Sequence, residues 1–247
     1  MKYIRNLILS LVFALISAQS LAQTDPQSKL NLILVAPETQ VAVNEEIEIK
    51  LMVAAENAPQ RYIVSDVIIG WNPEELQLLG VSHEGSHPLM WPEVSGFPIT
   101  SQDYTGINET IPPADGNALY YGYNDLGAVW IVTEPVQICK FKFKVLKSFV
   151  ESPVTLIPQL TVTYPAETVV YGSYIGGMKV TGTLYSTTVT GVAVIGDFNN
   201  DGLVNSPDMA LLLGNWGQIS YGNNPLDLDG DGVIGAGDLS ILISRWS

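Results

Sequence analysis

Two stretches near the C-terminus set oxygen-bearing side chains at fixed intervals. The first is DFNNDGLVNSPD, Asp197 to Asp208, and the second is DLDGDGVIGAGD, Asp227 to Asp238, thirty residues later. Positions 1, 3 and 5 carry side-chain oxygens: Asp197, Asn199 and Asp201, then Asp227, Asp229 and Asp231. Position 6 is Gly202 or Gly232, which lets the chain turn sharply. Position 7 offers a backbone carbonyl, from Leu203 or Val233. Position 9 is Asn205 in the first stretch; in the second it is Gly235, where a water stands in. Position 12 is Asp208 or Asp238. A hard cation such as Ca²⁺ takes six to eight oxygens at roughly 2.3–2.6 Å, and this spacing brings that many to one point. Without an ion, three or four carboxylates per loop would repel one another. The pattern therefore predicts two bound calcium ions. Typical loops of this EF-hand type end in Glu; the shorter Asp makes the twelfth ligand tighter or monodentate.

A third stretch, SHEGSHPLMW, holds both histidines of the chain. His83, Glu84 and His87 spell H-E-x-x-H, which in zinc proteases lies on a helix so that both imidazoles face one metal. Here Gly85 and Ser86 lie between them, and Pro88 disfavours helical geometry at His87. The preceding LQLLGVS alternates as a strand, no third histidine exists, and Glu109 as a distant third ligand fits no pattern. The expectation is two exposed loop histidines without zinc. The neighbouring carboxylates Glu74 and Glu75 sit side by side in WNPEE and would not flank a substrate as hydrolysis requires. Asn72 caps that turn.

The elements that position the acidic loops come next. Each loop opens a helix, SPDMALLLGNWG and AGDLSILISRWS, with Ser206 as the N-cap of the first and Pro207 in its first turn. Met209, Leu212, Leu213 and Trp216 match Leu239, Leu242, Ile243 and Trp246, an internal duplication. Position 8 is apolar in both copies, Val204 and Ile234, and predicts a short strand contact between the two loops. No helix enters either loop: TVTGVAVIG before the first is strand-like, and QISYGNNPL before the second is a linker.

Upstream, from Leu30 to about Val194, the period is two. In EEIEIKLMVAA, Ile47, Ile49, Leu51 and Val53 face one way and Glu46, Glu48, Lys50 and Met52 the other. In VQICKFKFKV, Cys139, Phe141, Phe143 and Val145 alternate with lysines, so the one cysteine is a buried small hydrophobe. Many short strands separated by turn residues predict a sandwich or barrel. The first 22 residues have a positive start (Lys2, Arg5), an apolar run from Leu7 to Ala18 and a Ser20-Leu21-Ala22 cleavage site. They read as a secretory signal. Hydrophobic residues at 47% permit a sizeable core, and a formal charge of −14 argues against nucleic acid as a partner.

The strand order up to VNEEIEIKLMV and GWNPEELQLLG resembles a cohesin domain, a relative of certain carbohydrate-binding modules. The duplicated loop–helix units from Gly196 to Ser247 resemble a type I dockerin. These resemblances imply a mainly β chain: a cohesin-like β-sandwich of jelly-roll type with a small C-terminal α-helical module. The expected organisation is a signal peptide at 1–22, a short segment at 23–29, the sandwich at 30–194 and the dockerin at 195–247. The dockerin resemblance implies one calcium per copy, helices packed antiparallel, and docking onto a cohesin. Positions 10 and 11 of each loop, Ser206-Pro207 and Ala236-Gly237, together with Arg245, are the implied partner surface. They depart from the family's usual Ser-Thr pair, and Gly214 and Asn215 replace its helical basic residues. The implied function is a secreted, non-catalytic adaptor for extracellular polysaccharide-degrading assemblies, with a protein partner. One alternative is sugar binding by the sandwich through Trp71, Trp91, Trp130, Tyr120, Tyr121 and Tyr123. Another is a hydrolase.

Overall fold

The computed structural model describes residues 27–97, 116–125, 128–160, 166–173, 178–219, 222 and 224–247. The expected signal segment and Glu109 lie outside them.

The alternating segments form two facing sheets. The first has the order β13 (Thr181–Tyr185), β1 (Leu30–Val35), β2 (Glu46–Ala55), β8 (Val136–Val145) and β5 (Leu76–Ser82). The second has β12 (Val169–Tyr171), β4 (Val64–Gly70), β9 (Glu151–Ile157) and β14 (Thr187–Thr190). β6 (Asn117–Tyr123) pairs with β4 along its whole length. The other edge of β4 is shared: its first half pairs with β12 and its second with β9. A short pair, β3 (Gln60–Tyr62) and β7 (Trp130–Val132), stands beside them. All these pairings are antiparallel except β1 with β13, which joins the two ends of the domain in parallel.

The period-two reading sets what is buried. Ile47, Ile49, Leu51 and Val53 on β2 meet Phe143, Phe141, Cys139 and Val136 across the ladder, and the lysines of β8 point out. Outside, Lys140 pairs with Glu48 at 2.8 Å. Two irregularities break the alternation. The β2–β8 register shifts between Leu51 and Met52, and Ile138 and Cys139 are consecutive buried residues there. The β5–β8 register shifts between Leu78 and Gly80, and Gly80 has φ 152°. Such shifts are bulges that bend the strand and re-aim its side chains.

The facing sheet contributes Val67, Ile69, Tyr120, Val154, Leu156, Val170 and Val189 to the same core. Tyr120 and Phe141 meet edge to face with centroids 5.5 Å apart. β4 is apolar on both faces. Its outward Ile68 packs with Leu119, Ile157, Leu160 and Ala166, the last two from the hairpin β10 (Gln159–Leu160) and β11 (Ala166–Glu167). The turn after β4 is built as expected: the Asn72 side chain accepts from Glu74 N at 3.1 Å. Among the described residues, two helices follow the sandwich, α1 (Ser206–Gly214) and α2 (Ala236–Ser244). No helix among the described residues is long and apolar enough to cross a membrane.

Candidate metal centres in the C-terminal module

Both acidic loops fold back on themselves through the same set of bonds. In the first, Asp197 Oδ2 accepts from Gly202 N at 2.8 Å, closing position 1 onto position 6. Asn199 Oδ1 accepts from Asp201 N at 3.0 Å, and Asp201 Oδ1 from Leu203 N at 2.9 Å. In the second, Asp227 Oδ2 accepts from Gly232 N at 3.2 Å, Asp229 Oδ1 from Asp231 N at 3.0 Å, and Asp231 Oδ1 from Val233 N at 2.8 Å. Gly202 and Gly232 both have φ 88°, the left-handed region that a Cβ would strain.

The twelfth residue braces each loop. Asp208 is fully buried; its Oδ1 accepts from Phe198 N at 2.7 Å and its Oδ2 from Asn205 N at 2.9 Å. Asp238, also fully buried, accepts from Leu228 N at 2.6 Å and Gly235 N at 2.7 Å. Burial pushes the Asp238 carboxyl up, but the backbone donors Gly235, Asp229 and Leu228 outweigh it, and the net shift is downward. The carboxylate is thus held ionised within the helix's first turn. The residues flanking α1 and α2 at their N-termini are Asn205 and Gly235, so Ser206 is the first helical residue rather than the cap. The loop's ninth position doubles as the helix boundary, because the buried Asp three residues on accepts its N–H.

Asp197, Asp201 and Asp208 bring carboxylate oxygens within 4.8 Å of one another, and so do Asp227, Asp229 and Asp231. Among the described residues no lysine or arginine ion pair reaches either group. Converging, unpaired carboxylates are costly unless a cation sits among them, so the residue set fits a divalent ion. The groups differ: in the first the buried position 12 joins positions 1 and 5, whereas the second is drawn from positions 1, 3 and 5. Asn199 and Asn205 flank the first group, and the carbonyl-bearing Leu203 and Val233 are exposed at the seventh position.

The two copies interlock by their tails. Ile234 N donates to Gln218 O at 3.1 Å, and Gly217 N to Ile234 O at 2.8 Å. In the mirror position, Val204 N donates to Ser247 Oγ at 2.7 Å, and Ser247 N to Val204 O at 3.0 Å. Contrary to the expectation from the sequence, the eighth positions do not pair with each other through the backbone. Each pairs with the segment that follows the other copy's helix, while their side chains meet in a core of Val204, Leu212, Ile234 and Leu242. Leu213, Ile243, Trp216 and Trp246 stay exposed in equivalent places. Ser206, Pro207, Ala236, Gly237 and Arg245 are exposed too.

The histidine motif is placed differently from the expectation. His83 and His87 are half-buried, not exposed. His83 Nε2 lies 3.0 Å from the Tyr120 hydroxyl, and the His87 ring stacks on Trp130 at 4.2 Å and 7°. Burial lowers both imidazole pKa values. The segment is a turn, with Gly85 at φ 75°, so both rings serve packing against buried aromatics. Of the aromatics weighed for sugar stacking, Trp71, Trp130 and Tyr120 are core residues. Trp91, Tyr121 and Tyr123 are partly exposed.

A buttress from the sandwich has no sequence signal. Ser148 Oγ, between β8 and β9, donates to Asp197 Oδ2 at 2.8 Å across 49 residues of chain.

The described residues thus form a β-sandwich followed by a duplicated loop–helix module. Residues 195–246 match the family model of the dockerin type I domain, so the C-terminal module is a type I dockerin domain. Among solved structures, the chain is similar to a cohesin module from a family 33 glycoside hydrolase of Clostridium perfringens (13% identity, 66% of this chain and 96% of that one, TM-score 0.46). It is also similar to a chain of a type I cohesin–dockerin complex from Clostridium thermocellum (10% identity, 66% and 99%, TM-score 0.45). A third is a non-cellulosomal cohesin from the archaeon Archaeoglobus fulgidus (15% identity, 67% and 92%, TM-score 0.41). No curated protein matches the chain.

Proposed function

We propose that the chain is a secreted, non-catalytic adaptor whose dockerin module is ordered by two calcium ions and docks onto a cohesin-type partner in an extracellular polysaccharide-degrading assembly. The observation that carries the reading is the pair of converging carboxylate groups in a dockerin domain whose core, among the described residues, has four fully buried apolar side chains. In the first loop the ion takes Asp197, Asn199, Asp201, the Leu203 carbonyl, Asn205 and Asp208. In the second it takes Asp227, Asp229, Asp231, the Val233 carbonyl and Asp238, with a water at Gly235. The ions neutralise carboxylates that otherwise repel, and so supply folding energy that the small core lacks. The docked face comprises the exposed copies of Ser206-Pro207 and Ala236-Gly237, with Arg245 and the apolar Leu213 and Ile243. The test is capture of the full chain by immobilised type I cohesins, with calcium and with chelator. Retention that needs calcium supports the reading; absence of retention by any cohesin sinks the choice of partner.

A second reading has the sandwich bind sugar. Its support is that Trp91 and Tyr123 are partly exposed neighbours, joined by a 2.8 Å bond from Trp91 N to Tyr123 O. Soluble glycans titrated against the chain decide it: quenching of tryptophan fluorescence supports it, and no change with any glycan ends it.

A further inference from the structure

We propose that Ser148 of the sandwich is a positioning residue for the first calcium loop, so that ion uptake there and seating of the module on the sandwich are one coupled event. The inference rests on the calcium reading above and goes beyond it. It concerns a residue outside the loops that makes the two sites unequal.

Asp197 Oδ2 accepts twice, from Gly202 N inside the loop and from Ser148 Oγ outside it, both at 2.8 Å. A carboxylate oxygen that holds two donors in place fixes the orientation of the whole group, which is what a partner behind a ligand does for a metal. The backbone agrees: Ser148 N donates to Asn200 O at 2.9 Å, and Asn200 takes the left-handed φ of 59°. On the other side, a Cβ on Gly202 would lie 2.8 Å from Val43 Cβ, so the loop's sharpest turn is pressed against the turn between β1 and β2. That turn is itself anchored by Asn44 N donating to Val145 O at 2.9 Å.

The connection between the modules is short. Val41 N donates to Thr190 O, Gly191 N to Val150 O and Val192 N to Val41 O, each at 3.0 Å. Ladder bonding thus holds the chain as far as Val192, five residues before Asp197. The second loop has none of this. A Cβ on Gly232 meets nothing within 4 Å, and among the described residues Asp227 takes no bond from the sandwich.

Loss of a hydrogen-bond partner behind a metal ligand typically lowers metal affinity about 10–100-fold. Coupling is reciprocal, so whatever the seat adds to calcium affinity, calcium adds to the seat. The test is calorimetric titration of the full chain with calcium, comparing wild type with Ser148→Ala, Ser148→Thr and Val43→Phe. One of two uptake steps should weaken about tenfold in Ser148→Ala and recover in Ser148→Thr, which keeps the hydroxyl. Val43→Phe, which overfills the contact with Gly202, should weaken the same step. In parallel, calcium should protect the Ala193–Ile195 connection from protease in wild type, and Ser148→Ala should need about tenfold more calcium for that protection. Two wild-type steps that Ser148→Ala leaves unchanged, with protection at unchanged calcium, would overturn the inference and leave the calcium reading standing. No uptake by the wild type would overturn both.

Discussion

The sandwich and the C-terminal module are stable for opposite reasons. The sandwich buries two apolar sheet faces, with Phe141, Phe143, Tyr62 and Tyr120 fully enclosed. The module encloses four apolar side chains and also three aspartates, Asp197, Asp208 and Asp238. Burying carboxylates costs free energy unless donors or a cation satisfy them. One region is a hydrophobic object and the other is an electrostatic one, joined by a seat that the first offers to the second.

The largest test of this contrast is removal of calcium. Excess chelator should abolish amide-exchange protection in residues 195–246 and leave that of β2, β4 and β8 in place; uniform loss across the chain would break the comparison. The converse comes from the core. Phe143→Ala should destabilise the sandwich by about 3–5 kcal/mol in denaturant melts while calcium uptake by the module persists. An intermediate effect concerns pH. The Asp66 carboxyl is pushed up to about 6, by burial first and the Glu167 charge second. Its folded pKa is raised, so the folded chain holds that proton more tightly. Stability should therefore fall as pH rises from about 4 to 6 and level off above. Partial exposure limits the fall to about 2 kcal/mol, and Asp66→Asn should flatten it.

Smaller effects sharpen the comparison between the two loops. A Cβ on Gly237 would collide with Asp229 Oδ2, whereas the first copy carries Pro207 at that position. Gly237→Ala should weaken the second calcium step severalfold and spare the first. The least effect is expected at the sandwich surface. Lys140→Ala, which removes the pair with Glu48, should leave the midpoint of denaturant melts nearly unchanged, because ion pairs at a surface contribute little.

Much of the strand content was legible because burial on one face imposes a period of two that survives in a single sequence. The segments around Ile47 to Val53 and Phe141 to Val145 needed no other information. The reading weakened where bulges interrupt the period, at Ile138 and near Gly80, since a bulge is one residue extra relative to the partner strand, which is visible only once the two are paired. It also misjudged His83 and His87. Nothing local to SHEGSHPLMW signals that Tyr120 and Trp130, more than thirty residues away, would enclose them.

The sequence by itself determined the two acidic loops. The bonds within each loop run between residues at most ten positions apart, so short-range spacing is enough to bring the acidic side chains together. Only the tertiary structure decided how the copies differ and what they touch. The crossed tails, Ser247 on Val204 and Gln218 on Ile234, depend on how one copy lies over the other. The seat of Asp197 on Ser148 depends on the antiparallel pairing of β14 with β9, which sets Thr190 opposite Glu151 and so carries the chain to the end of the sandwich where the β8–β9 turn lies. Local chemistry is written in short-range spacing; contacts between distant segments are set by which surfaces the packed sheets bring together.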